Sequence, residues 1–254
     1  MLTALTLLAA LTVLPASAGN EDFTPPGEDV WHAPFVDSDA PVAFAVHDGV
    51  GWILFDDELR STDGERLALP YRGRDISAGA DGVWVLTERA RFRLEGSALL
   101  EQPRSWSGHP LEIAGDGAVM SAAGVGALEL SPELQSPWAA QHLRLHRDRA
   151  ARRFTHATWE GERRALPGDD IVDARPIGST DHGVVLALTD SADRSAQDGV
   201  RFVEVSAAGV RQLDEGLWSG DALLHLKRAY AWDPVERSAY ALVVDGEQLS
   251  LRRY

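Results

Sequence analysis

The apolar residues of this chain fall into short runs that alternate with polar positions and are bounded by Gly, Asp and Ser. Runs of this length and alternation are typical of half-buried β-strands, whereas apolar residues three and four apart would indicate helices. Long stretches with helical periodicity are hard to find. The pattern therefore predicts an all-β fold built from short strands joined by tight turns.

The strand pattern repeats along the chain. The clearest copies place an Asp-Gly turn after a first strand, at Asp48, Asp81 and Asp116, with intervals of 33 and 35 residues. Gly tolerates positive φ and Asp hydrogen-bonds to the local backbone, which suits both to tight turns. Three weaker copies follow, with their aspartates at Asp148, Asp181 and Asp233. A polar insertion at 191–199 explains why the last interval is longer.

Small sheets repeated at this period cannot bury both faces alone, but sheets packed around a common axis cover one another. We therefore predict a β-propeller over residues 41–254, with six compact blades. The last copy ends after its third strand, and residues 27–35 could supply the missing outer strand. Residues 19–40 are accordingly predicted to form an N-terminal segment that closes the ring by joining the last blade.

Two of the repeats, "AGADGVWVLTE" (78–88) and "AGDGAVMSAAGVGALELS" (114–131), resemble those of bacterial secreted propellers of the NHL and streptogramin-lyase type. In those proteins an inner strand, an Asp-Gly turn and an aromatic-bearing second strand recur in each blade. The resemblance implies the propeller fold over residues 41–254. It does not select a function, because propellers carry lyases, lactonases, receptors and scaffolds.

Residues 1–18 are uncharged and mostly apolar, and they end in Ala16-Ser17-Ala18, a small-x-small pattern typical of signal-peptide cleavage sites. We expect a secreted or periplasmic protein that does not insert into a membrane after cleavage, and a monomer. The formal net charge of −15 argues against nucleic-acid binding, which needs a basic surface. Cys is absent, so disulfides, thiol nucleophiles and thiolate metal sites are excluded.

A streptogramin-lyase activity would imply histidine and glutamate acting together in the central channel. His47, His142 and His225 lie nearest to predicted inner strands, but no repeat contains a paired His-x-Glu or His-x-His. The acidic loop with Asp190, Asp193 and Asp198 could offer oxygen ligands to calcium, yet its spacing does not match a calcium loop and fits a solvated loop better. No catalytic residue, metal site or cofactor is therefore predicted.

Tryptophans in the predicted connections between blades are the most informative side chains. Such connections gather on one face of a propeller, so these residues could form a platform for a sugar ring or an apolar anchor of a partner. Alternatively, each indole could plug the seam between adjacent blades. The predicted binding residues are Trp106, His109, Trp138, Trp218, Asp221, His47 and His142, with Arg104 nearby.

The sequence thus favours a secreted, non-catalytic propeller that binds a protein partner or an extracellular polysaccharide through loops on one face. A propeller lyase or hydrolase acting in the central channel is the alternative.

Overall fold

The computed structural model describes residues 27–35, 40–104, 106, 109–117, 119–122, 143–148, 150, 152–168, 170–190, 199–217, 230–245 and 247–254. These residues form 21 strands joined by turns. Within these ranges there is no helix long and apolar enough to cross a membrane. The prediction of an all-β fold is confirmed.

The first strand is β1 (Glu28–Pro34). The next eight strands form two four-stranded antiparallel sheets. Sheet 1 contains β2 (Ala43–His47), β3 (Val50–Leu54), β4 (Glu58–Ser61) and β5 (Arg66–Ala68). Sheet 2 contains β6 (Gly73–Gly79), β7 (Gly82–Thr87), β8 (Arg91–Glu95) and β9 (Ala98–Gln102).

Fewer strands are described in the next two sheets. Sheet 3 contains β10 (His109–Ile113) and β11 (Val119–Ala122). Sheet 4 contains β12 (Leu143–Asp148), β13 (Arg153–Trp159) and β14 (Glu162–Ala165).

Sheets 5 and 6 again have four antiparallel strands each. Sheet 5 contains β15 (Ile171–Ser179), β16 (Gly183–Asp190), β17 (Gly199–Ser206) and β18 (Gly209–Leu217). Sheet 6 contains β19 (Tyr230–Asp233), β20 (Ser238–Asp245) and β21 (Gln248–Arg253), with β1 as its outer strand.

The turn between β2 and β3 shows why Asp-Gly recurs. Asp48 and Gly49 have φ values of 53° and 74°, so both residues occupy the left-handed region. A two-residue hairpin of this type requires positive φ at both central positions, and its twist matches that of the strands. Asp81 lies in the turn between β6 and β7, and Asp116-Gly117 lies between β10 and β11. Gly82 and Gly117 also have positive φ, of 119° and 79°, but Asp81 and Asp116 do not, so these two turns differ from the one at Asp48-Gly49.

The apolar residues are buried between neighbouring sheets. Four cores are described, lying between sheets 1 and 2, sheets 6 and 1, sheets 5 and 6, and sheets 4 and 5. Each is made of alternate residues from both sheets; Leu54 of sheet 1, for example, shares a core with Ile76 of sheet 2. Sheets 1, 5 and 6 each contribute to two of these cores, so their apolar residues are covered by the neighbouring sheets on both sides.

The first strands of the sheets approach one another: β2 contacts both β6 and β19, and β15 contacts β19 and β6. The ends of two of these strands are joined by the fully buried carboxylate of Asp233. It accepts the backbone N–H groups of Asp48 and Gly49 from sheet 1, at 3.2 and 2.7 Å. It also accepts those of Val235 and Glu236, at 2.8 and 3.2 Å.

The N-terminal strand is held by backbone, charge and apolar contacts. β1 pairs with β21 from Glu28–Arg253 to Pro34–Gln248. The side chains of Arg252 and Asp29 form an ion pair at 2.8 Å, and Trp31 packs against the core between sheets 6 and 1. Exposed ion pairs contribute little to stability, so the backbone ladder and the indole hold this strand.

Candidate functional site

Several turns and connections lie together at one end of sheets 1 and 2, and we call this end the connection rim. It consists of the turns 55–57 and 88–90, the connection 69–72, and residues 103, 104 and 106 of the connection that follows β9. Hydrogen bonds tie its segments together. The Gly73 N–H donates to the Asp56 carbonyl at 2.7 Å, and the Glu88 N–H donates to the Arg72 carbonyl at 3.0 Å. Gln102 lies opposite Arg91 in the ladder, so the connection to β10 leaves from this same end.

Trp106 lies in that connection and is half-buried. The guanidinium of Arg104 stands 5.4 Å from the centre of the indole, and its Nε donates to the Trp106 carbonyl at 3.1 Å. The indole Nε1 is buried and has no hydrogen-bond partner in the described part of the chain. Trp106 does not pack against any of the four described cores, whereas Trp52 lies inside the core between sheets 1 and 2.

His109 lies close to Trp106 along the chain and is exposed as the first residue of β10. The structure therefore places Trp106, Arg104 and His109 around the beginning of one inner strand. An indole face, a guanidinium and an imidazole together can bind a polar ligand with an apolar ring face.

A second aromatic–arginine stack lies on the same rim and was missed by the sequence analysis. Tyr71 lies in the connection from β5 to β6 and is 36% exposed, and the Arg89 guanidinium stands 5.5 Å from its ring centre. The signal was present in the sequence, because Pro-Tyr-Arg at 70–72 and Pro-Arg-Ser-Trp at 103–106 both put an aromatic residue after a proline in a connection. The sequence-based prediction considered tryptophans in the connections and therefore did not include Tyr71.

The remaining side chains of the connection rim form exposed ion pairs. Arg72 binds Asp56 at 3.0 Å, and Arg74 binds Glu88 at 2.6 Å. The hydrogen bond that Arg72 donates to the Asp56 carboxylate is the main cause that raises the pKa of Arg72. These pairs lie on the same rim as the two aromatic rings. No cluster of three or more potential metal ligands is found among the described residues.

His47 lies away from this rim. It ends β2, next to the turn at Asp48–Gly49, whereas Trp106 lies at the rim where β2 begins. The length of β2 corresponds to a separation of ~13 Å along the strand. The Nε2 atom of His47 is buried and has no hydrogen-bond partner in the described ranges. The structure therefore does not bring His47 together with Trp106 and His109.

The end of the molecule that carries His47 is held by structural hydrogen bonds. Besides the Asp233 contacts, the Tyr240 hydroxyl donates to Glu236 Oε2 at 2.6 Å. Burial is the main cause that raises the pKa of Tyr240, and the neighbouring Glu236 raises it further. The Asp233 contacts join sheets 6 and 1, and the Tyr240–Glu236 hydrogen bond holds the turn between β19 and β20.

Four of the predicted site residues, Trp138, Trp218, Asp221 and His142, lie outside the described residues. The same is true of His225 and of most of the acidic loop, including Asp193 and Asp198. The candidate site that can be built from the described residues is therefore the connection rim with its two aromatic–arginine stacks.

No protein-family model and no curated protein matches this sequence. Among solved structures, the chain is similar to a Thermus thermophilus protein named provisionally as an oxidoreductase (glucose dehydrogenase). The two chains are 13% identical, the match covers 91% of this chain and 100% of that one, and the TM-score is 0.40. Likeness at this level does not bear on the fold or the chemistry of this chain, whose function must be argued from its own residues.

Proposed function

We propose that this chain is a six-bladed β-propeller closed by its N-terminal strand. Six sheets are present in the described residues, four pairs of neighbours share an apolar core, and β1 completes sheet 6 beside β21. An outer strand taken from the opposite end of the chain would hold the first and last blades together. The uncharged residues 1–18 support export of this domain from the cytoplasm.

We further propose that the propeller is a non-catalytic binding protein for an extracellular glycan, which it takes at the connection rim. The observation that carries this proposal is the pair of stacks Trp106–Arg104 and Tyr71–Arg89 on one rim. Aromatic faces accept the apolar face of a sugar ring, while guanidinium groups donate to its hydroxyls.

A glycan fits this rim better than a protein partner does. The exposed large apolar residues of the described chain are Val30, Tyr71, Leu100 and Val235. They lie on a terminal strand, a connection, an outer strand and a turn, so they form no continuous patch. Protein partners usually dock on contiguous apolar surface surrounded by polar residues.

The alternative function, a lyase or hydrolase in the central channel, has one observation in its favour. The buried Nε2 of His47 has no hydrogen-bond partner among the described residues, as a general base awaiting substrate would. However, no hydrogen bond between the His47 ring and an orienting carboxylate is described. The alternative therefore has a candidate base without the second group that such chemistry needs.

The binding proposal is tested with neutral polysaccharides, which avoid charge effects. The full chain is run by affinity electrophoresis through gels containing β-glucan, xylan or galactomannan, and the dissociation constant is taken from the retardation. We expect retardation by at least one of them, and a loss of at least tenfold in affinity for Trp106→Ala and for Tyr71→Ala. Leu100→Ala removes an exposed apolar side chain from β9 and should bind as the unmodified protein does.

Thermal melting of the same variants separates binding from structure. A ligand platform predicts that Trp106→Ala melts close to the unmodified protein and that Trp106→Phe retains part of the binding. If Trp106→Ala instead melts at a much lower temperature with unchanged retardation, the indole is a structural plug and the proposal is wrong. Absence of retardation by all three polysaccharides also overturns it.

A further inference from the structure

The face of sheet 4 that is turned away from its apolar core carries an unusual set of side chains. Leu143 and Leu145 of β12 point into the core with Ala157 and Trp159 of β13. The residues between them therefore lie on the opposite face, because side chains alternate along a strand. The register of the three strands defines this face, which consists of Arg144, His146 and Asp148 of β12, His156 and Thr158 of β13, and Arg163 and Ala165 of β14.

Two histidines in the middle of this face are fixed in place. The rings of His146 and His156 stack with centres 4.4 Å apart and planes inclined by 7°. His146 Nε2 lies 2.7 Å from the Thr158 hydroxyl, and His156 Nδ1 lies 2.9 Å from the Thr155 hydroxyl. Each ring thus has one nitrogen engaged by a threonine and one remaining for another partner.

Positive charge is concentrated at one end of this face. Arg144, Thr158 and Arg163 form a continuous row across the three strands, whereas the acidic residue Asp148 lies at the opposite end of β12. Burial lowers the pKa of His156, and the positive charges of Arg163 and His146 lower it further. Arg163 is exposed and forms no ion pair with a carboxylate of the described residues. Like charges gathered in this way disfavour a bound cation and favour a bound anion.

We propose that this face of sheet 4 binds a small ligand through an oxyanion group, either a carboxylate, a phosphate or a sulfate. Arg163 would contact the anion, and the stacked imidazoles would donate to it through their remaining nitrogens. Arginine suits this role because its planar guanidinium matches the geometry of such groups. This site is separate from the connection rim and does not depend on the function proposed for that rim.

The size of the ligand follows from the charge of the whole chain. The net charge of −15 would repel a long polyanion, so only a short anionic group can be attracted to a local positive face. The row from Arg144 to Arg163 spans two strand spacings, which is roughly 10 Å. That distance accommodates one anionic group with a small body attached to it.

The test measures the pKa of His156 by NMR in the full chain. The imidazole signals are titrated with pH in sodium chloride and then in 10 mM sodium sulfate or phosphate at equal ionic strength. An anion stabilises the protonated ring, so we expect the pKa of His156 to rise when sulfate or phosphate replaces chloride. The charged neighbours in the described strands of this face are Arg144, His146, Asp148 and Arg163.

Arg163→Gln is the decisive variant. Removing this charge should raise the pKa of His156 in chloride and reduce its response to sulfate at least threefold. Arg66→Gln removes an exposed arginine from β5 of sheet 1 and should leave both values unchanged. Circular dichroism confirms that both variants are folded.

Three results would overturn the anion site. The first is a pKa of His156 that does not respond to sulfate or phosphate in the unmodified protein. The second is an equal response in Arg163→Gln, which would mean that the anion acts elsewhere. The third is binding of Ni²⁺ or Zn²⁺ to the histidine pair with no anion effect, which would make this face a metal site instead.

Discussion

The two faces of sheet 2 are made by alternate residues of the same strands, yet they differ in chemistry. Ile76, Val85 and Phe92 form one row across the sheet and lie in the apolar core shared with sheet 1. Ser77, Trp84 and Arg93 form the adjacent row on the face turned toward sheet 3. Ile76 and Ser77 are both almost completely inaccessible, but Trp84 and Arg93 are half-buried whereas Val85 and Phe92 are buried.

The polar face is joined to sheet 3 by directed contacts. Oδ2 of the fully buried Asp75 accepts the Ile113 N–H at 2.9 Å, and the Arg91 guanidinium donates to the Gly117 carbonyl. The Trp84 ring lies against Gly117 so closely that a Cβ there would come within 2.7 Å of it. Gly117 also has a φ of 79°, which disfavours any side chain.

The difference teaches that adjacent sheets in one fold can be held together in two ways. Apolar packing is strong but non-directional, and it tolerates small shifts between sheets. Buried hydrogen bonds add little net free energy, but a misplaced partner is costly, so they fix the relative position of two sheets. The face of sheet 2 toward sheet 1 contributes stability, and the face toward sheet 3 fixes the position of these two sheets relative to each other.

The largest effect is expected from the apolar face. Ile76→Ala should lower the free energy of unfolding by about 2–5 kcal/mol, because the lost methylene groups leave a cavity between sheets 1 and 2. Urea denaturation followed by circular dichroism measures this change. Leu100→Ala, at an exposed position of β9, should change it by less than about 0.5 kcal/mol. A similar small change for Ile76→Ala would show that this core does not stabilise the fold.

An intermediate effect is expected from the polar face. Asp75→Ala removes the acceptor of the Ile113 N–H and should cost about 1–3 kcal/mol in unfolding free energy. The loss should be local, so hydrogen exchange at the Ile113 amide should accelerate more than exchange in β2. Asp75→Asn keeps an acceptor oxygen and should lose less. Equal acceleration in both strands would mean that Asp75 stabilises the whole molecule rather than this one seam.

The smallest changes in unfolding free energy are expected from two single substitutions at adjacent positions of β6, one on each face of sheet 2. Ser77→Ala should leave stability unchanged or slightly raised, since its buried hydroxyl has no partner among the described residues. Ala78→Ser places a hydroxyl in the apolar core and should cost about 1 kcal/mol or more. Urea denaturation of the two variants compares the faces directly. Equal changes in the unfolding free energy of the two variants would show that the two faces of sheet 2 do not differ in this way.

Much of the fold could be predicted from particular residues. Asp48-Gly49, Asp81 and Asp116-Gly117 all lie between the first two described strands of a sheet, because Asp and Gly suit the backbone of tight turns. The alternation of apolar and polar residues likewise predicted short strands, each with an apolar face buried against a neighbouring sheet. Residues 27–35 were predicted to supply an outer strand, and β1 lies beside β21.

The candidate site was less predictable. Trp106 was selected because tryptophan is conspicuous, but Tyr71 and its Arg89 neighbour were not, since they belong to a connection and a turn that are 18 residues apart. The stacked histidines were also missed, because His146 and His156 meet only through the register of β12 and β13. Sequence spacing alone does not reveal a pair that depends on strand register.

The amino-acid sequence by itself determined the all-β class, the turns, and which residues alternate between the two faces of each strand. These features depend on local steric preferences and on the alternation of side chains along a strand. Only the tertiary structure decided which faces meet. It placed Ile76 against sheet 1 and Asp75 against sheet 3, and it brought Tyr71 and Trp106 to one rim. These relations depend on contacts between distant segments, and local preferences carry no information about which distant segment will cover a given face.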